Sequence, residues 1–194
     1  ILPVPDSGVP AAMGYAVESG IPFELGIIRN HYVGRTFIEP TDQIRNLGVK
    51  LKHSANRAML QGKRGVLVDD SIVRGTTSRK IVEMVRQAGA TEVHMRIAAP
   101  PITHPDFYGI DTPSQDQLLA ANNTLEEMRN YIGADSLAFL SVDGLYQAMG
   151  YPEGRDPERP QFTDHCFTGD YPTLLVDQNR NDGVHQLSLL SEQG

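Results

Sequence analysis

The sequence predicts an α/β protein with an open, mostly parallel sheet flanked by helices. Short apolar runs typical of strands alternate with amphipathic segments typical of helices over residues 1–150. The run 65–69 is apolar up to its acidic end, as expected for a strand in the middle of a parallel sheet. After residue 150 the chain turns rich in Pro, Gly and Asp with little periodicity. We therefore expect one domain over 1–150 and an irregular C-terminal extension over 151–194.

The predicted elements follow one another in a regular order. Pro10 in the first turn and Gly20 after the last turn predict a helix over 9–19, which follows a strand remnant at 1–4. An apolar stripe with a glycine behind it predicts a helix over 76–88. The other predicted strands are 23–28, 65–69, 92–98 and 137–141, and the other predicted helices are 115–121, 125–132 and 142–149.

Composition and charge narrow the classes of function. The formal net charge is −7, so electrostatics give no reason to expect nucleic-acid binding. No apolar run approaches the roughly 20 residues that span a bilayer, so we expect no membrane partner. Cys166 is the only cysteine, which excludes an internal disulfide framework and suits a cytoplasmic location. Residues 1–6 are typical of the end of a strand, so we expect a fragment of a longer protein.

Asp69 and Asp70 end the strand 65–69 at the edge where open α/β sheets bind their ligands. Two adjacent carboxylates of a strand point in different directions, so both need polar partners. Sugar hydroxyls, or Mg²⁺ with its waters, would supply them. A plain turn or helix cap without any ligand is an equally good interpretation of the pair alone.

The residues that follow, Arg74-Gly75-Thr76-Thr77-Ser78, have the composition of an anion-binding loop. The glycine allows close approach of the backbone to an anion, and the N–H groups of the next helix then point at it. An ordinary N-cap at Thr76 or Thr77 is the alternative, weakened by the acidic pair beside it. The spacing differs from Gly-x-x-x-x-Gly-Lys-Ser/Thr, so an ordinary ATPase is disfavoured.

Together, residues 65–78 resemble the phosphoribosyl pyrophosphate (PRPP) motif of the type I phosphoribosyltransferases. Residues 30–38, 54–57, 107–111 and 132–135 are similar to one branch of that class, the glutamine PRPP amidotransferases. The likeness runs from about residue 4 to about residue 173. It implies the type I phosphoribosyltransferase fold. It also implies transfer of ammonia from glutamine to PRPP, giving 5-phosphoribosylamine and pyrophosphate in the first committed step of de novo purine synthesis.

The resemblance also implies roles for single residues. Asp69 and Asp70 would bind the ribose hydroxyls and Mg²⁺, with the Ser7 hydroxyl as a further Mg²⁺ contact. The residues that would hold the 5′-phosphate are Arg74, Gly75, Thr76, Thr77 and Ser78.

The segment 29–52 is rich in charge, and by composition it is best explained as a solvated loop. The resemblance instead implies a flexible loop that closes over PRPP. In that loop Arg29 would bind the substrate, and basic residues would balance the charge of the leaving pyrophosphate. The catalytic residues implied there are Tyr32, Arg35 and Lys52. The implied lining of an ammonia channel is Tyr32, Arg35, Ile38 and Tyr108.

Mg²⁺ is the cofactor that the resemblance implies. Some members also hold a four-iron, four-sulfur cluster on four cysteines. In this chain Asp106 stands at one of those places and only Cys166 is left of a Cys-x-x-Cys pair, so no cluster is expected. His104 and His165 are then interpreted as local hydrogen-bonding residues.

The implied partners are PRPP, ammonia or glutamine, and purine nucleotides as feedback inhibitors. A homo-oligomer, often a tetramer, is also implied, as is an N-terminal glutaminase domain that is missing from this sequence. Two other functions remain open at this point. One is a phosphoribosyltransferase for a nucleobase, and the other is a PRPP-binding regulatory protein that has lost catalysis.

Overall fold

The computed structural model describes residues 1–30 and 53–175. The strands in these ranges are β1 (Leu2–Pro3), β2 (Ile27–Arg29), β3 (His53–Ala55), β4 (Arg64–Asp69), β5 (Glu92–Ile97) and β6 (Ser136–Phe139). The α-helices are α1 (Val9–Ser19), α2 (Arg57–Leu60), α3 (Thr76–Gln87), α4 (Leu119–Asn122), α5 (Leu125–Ile132), α6 (Val142–Ala148) and α7 (His165–Thr168). A short 3-10 helix covers Gln115–Gln117. The predicted alternation of strands and helices is therefore confirmed.

Four of the strands form one parallel sheet in the order β1-β4-β5-β6. In its centre, Leu67 of β4 pairs with Leu2 on one side and with Met95 on the other. Parallel strands need crossover connections, and helices supply them here. All four carboxyl ends consequently lie at the same edge of the sheet, where α/β proteins bind ligands.

Helices cover both faces of this sheet. Leu67 and Met95 belong to one apolar cluster with Ile81 of α3 and Ile132 of α5. Val68 belongs to a second cluster, in which it packs with Ala12 of α1. Successive residues of β4 therefore face opposite layers, as the pleat of a strand requires. This burial on both faces explains why the sequence of β4 is continuously apolar rather than alternating.

Several element boundaries differ from the predicted ones. The strand predicted at 23–28 is β2, Ile27–Arg29, because pairing with β3 begins only at Ile27. This pair is antiparallel and lies outside the main sheet. The helix predicted at 115–121 is divided into the 3-10 turn and α4, with Leu118 extended and fully buried between them. β3, α2 and α7 were not predicted, since elements of three or four residues carry too little periodicity to detect.

The extension is largely irregular as predicted, and its described part packs against the segment that follows β5. The backbone N–H groups of Thr103 and His104 both donate to the carbonyl of Cys166, at 2.9 and 3.1 Å. The hydroxyl of Tyr171 donates to the carbonyl of Pro105 at 2.8 Å. A division of the chain at residue 150 stays a prediction. Across 1–30 and 53–175, no helix has the length and apolar character needed to cross a membrane.

Candidate active site

Three chain segments meet at the carboxyl edge of the sheet. The turn after β1 is tied to β4 by a hydrogen bond of 2.8 Å from Val4 N to the carbonyl of Val68. On the other side, Ala98 N donates to the carbonyl of Asp69 at 2.9 Å. The end of β4 is thus held on both sides by backbone. This framework fixes the backbone from which the two acidic side chains project.

The two acidic residues have opposite environments. Asp69 is buried, with 5% of its surface exposed, whereas Asp70 is exposed. Burial raises the pKa of Asp69 to about 8, and the side chain and charge of the neighbouring Asp70 act in the same direction, against a smaller lowering by the backbone N–H of Asp70. Within residues 1–30 and 53–175, no cationic side chain forms an ion pair with Asp69. A buried carboxylate of this kind needs a cation to be ionised at neutral pH.

The loop after Asp70 leads directly into α3. Gly75 occupies the N-cap position in the left-handed conformation, with φ of 74°, and no side chain caps the helix. The alternative of an ordinary cap at Thr76 or Thr77 is therefore wrong, because glycine takes the position that they would need. Thr76 and Thr77 are exposed, whereas Ser78 is buried. The first turn of α3 thus presents N–H groups and two hydroxyls without a side-chain acceptor, which suits an anion.

The turn after β1 carries Ser7 at the same edge. Its neighbour Gly8 lies so close to the carbonyl of Val68 that a Cβ would not fit. Asp6, joined to Pro5 by a cis peptide bond, forms an ion pair with Arg29 of β2. This contact places Arg29, which is implied to bind substrate, against the turn that carries Ser7. Ser7 is exposed and its hydroxyl is open to a ligand.

The remaining predicted site residues are only partly described. Tyr32, Arg35 and Lys52, together with Ile38, lie outside the described residues, so loop closure over the substrate stays a prediction. Tyr108 is described and exposed, and its hydroxyl lies 2.9 Å from Oγ1 of Thr173 in the extension. Its role in an ammonia channel also stays a prediction.

A buried contact between the segment after β5 and the extension was not predicted from the sequence. Nε2 of His165 lies 2.7 Å from Oδ2 of Asp106, and the other oxygen accepts from the backbone N–H groups of Tyr108 and Ile110, each at 2.8 Å. Burial by itself would raise the pKa of Asp106, but these hydrogen bonds outweigh it and hold the pKa below its usual range. His165 does form a hydrogen bond, but the prediction of a local partner is wrong, because Asp106 lies 59 positions away. No local pattern could have identified it.

Asp106, His165 and Cys166 each offer one possible metal-ligand atom, and these atoms lie within 4.8 Å of one another. A hydrogen bond already joins two of these side chains, Asp106 and His165. Burial raises the pKa of the Cys166 thiol, and the charge of Asp106 acts in the same direction, so the thiolate that metals bind is disfavoured. The geometry therefore favours a hydrogen-bonded cluster. The expected lack of an iron–sulfur cluster stays a prediction.

Known proteins similar to this chain were found by sequence. No protein-family model matches it. The amidophosphoribosyltransferase of Rhizobium etli is 69% identical over 195 aligned positions, which cover 100% of this chain and 39% of the relative. That of Bacillus subtilis is 56% identical over 172 positions, covering 89% of this chain and 36% of the relative. The chloroplastic amidophosphoribosyltransferase 1 of Arabidopsis thaliana is 58% identical over 172 positions, covering 89% of this chain and 29% of the relative. The chain thus spans less than two fifths of the length of these relatives.

Solved structures agree with the sequence comparison. Glutamine PRPP amidotransferase of B. subtilis, complexed with ADP and GMP, superimposes with a TM-score of 0.77 at 55% identity, covering 89% of this chain and 38% of that one. A structure described as the allosteric regulatory enzyme of purine biosynthesis gives a TM-score of 0.76 at 54% identity, covering 89% of this chain and 37% of that one. The fold and the relatives define a protein of the type I phosphoribosyltransferase class. Within that class, the chain belongs to the amidophosphoribosyltransferase family and matches the C-terminal part of its members.

Proposed function

We propose that this chain performs the phosphoribosyl-transfer step of an amidophosphoribosyltransferase, the enzyme of the first committed step of purine synthesis. Ammonia would attack C1 of PRPP, giving 5-phosphoribosylamine and pyrophosphate. Glutamine would be the source of the ammonia in an enzyme that also has a glutaminase domain. One observation carries the proposal: the buried Asp69 and the exposed Asp70 lie directly before a helix whose N-terminus has no side-chain cap. The names of the relatives support the same reaction.

The geometry supports a dissociative substitution at C1. The bond from C1 to the pyrophosphate oxygen breaks, a C1–N bond forms, and the attacking nitrogen loses one proton. Positive charge develops on the sugar ring before the new bond is complete, and a carboxylate near the ring stabilises that charge. Asp69 and Asp70 would hold the ribose hydroxyls from the sheet edge. The first turn of α3 would hold the 5′-phosphate through its N–H groups and through Thr76 and Thr77.

Mg²⁺ is proposed as the cofactor, held by Asp69 and Asp70 with Ser7 as a further contact. The fit rests on Asp69, whose buried carboxyl has no cationic partner in the described part of the chain and a pKa of about 8. Hard cations of this type prefer oxygen ligands and keep several waters, which the exposed Asp70 side would allow. When bound, Mg²⁺ would neutralise charge on the pyrophosphate.

The closing loop and the partners complete the proposal. Arg29, already placed at the site edge by Asp6, would lead into a loop on which Tyr32, Arg35 and Lys52 cover the pyrophosphate. Closure would keep out water that otherwise hydrolyses PRPP. Purine nucleotides are proposed as inhibitors, supported by the relative complexed with ADP and GMP. A homo-oligomer, with a tetramer as the expected form, and a cytoplasmic location are proposed on the resemblance and on the single cysteine.

The test is formation of phosphoribosylamine from PRPP, Mg²⁺ and ammonia by the full chain. We expect Asp69→Asn to lower the rate by about 100-fold or more, because it removes the charge that stabilises the reacting sugar. Asp116→Asn is the matched control, since Asp116 is an exposed aspartate outside the proposed site. Equal rates for wild type and Asp69→Asn would refute the site. Consumption of PRPP with a purine base instead of ammonia would show a nucleobase enzyme, and binding of PRPP without turnover would show a regulatory protein.

A further inference from the structure

The phosphate loop proposed above is held from outside by one distant segment of the chain, residues 115–119. Leu119 N donates to the carbonyl of Val73 at 2.8 Å. Arg74, the next residue of the loop, donates from Nε and Nη2 to the side-chain carbonyl of Gln117, at 3.1 and 2.9 Å. Two successive residues of the loop therefore have their positions set by residues more than 40 places further along the chain.

Residues near this segment in the chain also pack directly against Gly75. A Cβ on Gly75 would lie 2.6 Å from Cδ2 of Leu119 and 3.2 Å from the ring of Tyr131. The Tyr131 ring also lies 5.5 Å from the guanidinium of Arg79 in α3, within range of a cation–π contact. Leu119 and Tyr131 thus support the start of α3 from below. The position of Gln117 relative to the loop is fixed by this packing rather than by Gln117 alone.

The supporting segment is itself tied down by side-chain amides. Asn122 Nδ2 donates to the carbonyls of Gln115 and Leu118, each at 2.9 Å. Asn123 Nδ2 donates to the carbonyl of Leu119 at 2.9 Å. Gln115 Nε2 donates to the carbonyl of Thr103 at 3.1 Å. Four hydrogen bonds therefore hold the backbone on either side of Gln117 in place, so that its side chain starts from a defined point.

We propose that Gln117 is a positioning residue for Arg74 at the phosphate-binding end of the site. Nε and Nη2 form one edge of the guanidinium, and both donate to the single carbonyl oxygen of Gln117. The other edge, with Nη1 and the second proton of Nη2, is left for a phosphate group. Because the acceptor is a neutral amide, Arg74 keeps its full positive charge toward the anion, which a carboxylate in the same place would offset. This inference rests on the proposed function, since the anion is a phosphate group of PRPP.

The test is a double-mutant cycle on the full chain with PRPP, Mg²⁺ and ammonia. Gln117→Leu keeps the bulk of the side chain and removes the acceptor. We expect it to raise the KM for PRPP by about fivefold, the effect of one hydrogen bond that orients a charge, and to leave the KM for ammonia and the Tm unchanged. In the Arg74→Ala background the same substitution should have no further effect, because Gln117 acts through Arg74. Asp116→Asn, one residue away and exposed, is the control that should match wild type.

Each other outcome overturns the inference. An unchanged KM for PRPP in Gln117→Leu, or equal effects with and without Arg74, would show that Gln117 does not act through Arg74. A parallel rise of the KM for ammonia, or a lowered Tm, would show a merely structural role. The two proposals fail differently. If Asp69→Asn and Arg74→Ala reduce turnover while Gln117→Leu does not, only the positioning role is refuted. If Asp69→Asn is also fully active, the proposed function is refuted with it.

Discussion

Asp69 at the sheet edge and Asp164 in the extension are buried to the same degree, with 5% and 4% of their surfaces exposed. Burial raises the pKa of Asp69 to about 8. Burial by itself would also raise the pKa of Asp164, but hydrogen bonds from Arg155 at 2.6 Å and Tyr146 at 2.7 Å outweigh it and lower that pKa. Asp106, held by His165 and two backbone N–H groups, has a lowered pKa for the same reason. At this equal exposure to solvent, the two regions differ in the hydrogen-bond donors that reach their buried carboxylates.

This difference teaches which region needs a ligand. Each buried carboxylate of the extension and of the segment after β5 has donors from the chain itself. At the sheet edge the donors are exposed or belong to the uncapped helix, and Asp69 accepts only from the backbone N–H of Asp70 among the described contacts. A fold that leaves one carboxylate in this state sacrifices stability there, which is common at functional sites. Four substitutions test the comparison.

The largest effect is expected for Arg155→Met. Nε of Arg155 donates to Asp164, and Nη2 donates to Asp170 at 2.6 Å. Removing the guanidinium leaves the Asp164 carboxylate buried without its cation, which costs about 3–5 kcal/mol in the free energy of unfolding. Urea unfolding measures it. Arg159→Met, an exposed arginine of the same segment, is the control and should stay within about 0.5 kcal/mol of wild type. A similar cost for both variants would mean that the buried pair contributes nothing specific.

Asp69→Asn should raise the free energy of unfolding, in contrast to Arg155→Met, while it removes activity. With a folded pKa of about 8 against the ordinary aspartate value of 3.8, folded Asp69 keeps a proton that the unfolded chain has released between these pH values. Stability therefore falls as pH rises through that window, by at most about 1.4 kcal/mol per pH unit. Asparagine does not titrate and so removes this loss. The difference in the free energy of unfolding between Asp69→Asn and wild type should therefore grow with pH.

Urea unfolding at about pH 5 and about pH 7 without divalent ions measures that difference. Addition of Mg²⁺ should stabilise wild type more than Asp69→Asn and narrow the gap, because an ion that binds only the folded state adds to its stability. A gap that does not change with pH would contradict the assignment of Asp69 as the carboxylate without a partner.

His165→Phe should cost about 1–2 kcal/mol near neutral pH, because Asp106 loses one charge-assisted hydrogen bond and keeps two from the backbone. The lowered pKa of Asp106 sets the sign of the pH dependence. Its contribution is present above the unfolded value of 3.8 and is lost as pH falls through the lower folded value. The cost of the substitution should therefore shrink in acid, as followed by urea unfolding at several pH values. A cost that grows in acid would disprove the pairing.

Tyr108→Phe should have the smallest effect on stability. Its hydroxyl bonds only to the exposed Thr173 among the described residues, so its removal should change the free energy of unfolding by less than about 0.5 kcal/mol. The same variant then allows a clean measurement of the KM for ammonia. An increase there, with unchanged stability, would support a place for Tyr108 on the ammonia path. A large loss of stability would instead place this residue with the structural contacts of the extension.

Local patterns in the sequence predicted most of the sheet and the position of the acid pair. β4 was visible because a strand buried on both faces is continuously apolar, and α3 because its apolar residues recur at helical spacing. The division of 115–121 into a turn and α4 was not visible, since it depends on Leu119 reaching back to Val73. Gln117 was missed for the same reason, as nothing near it in sequence marks it as a partner of Arg74.

The sequence by itself determined the fold class and the place of Asp69 and Asp70 at a strand end, because both follow from periodicity and from motifs within a few residues. It also determined the family, through the resemblance of several separate segments to known proteins. Only the tertiary structure decided that Asp69 is buried and Asp70 exposed. It also decided that Asp106 forms a hydrogen bond with His165, and Arg74 with Gln117. These contacts join residues tens of positions apart, and their energies depend on burial and on the partner's charge. Burial, and the distance at which the partner's charge acts, are set only when the chain has folded.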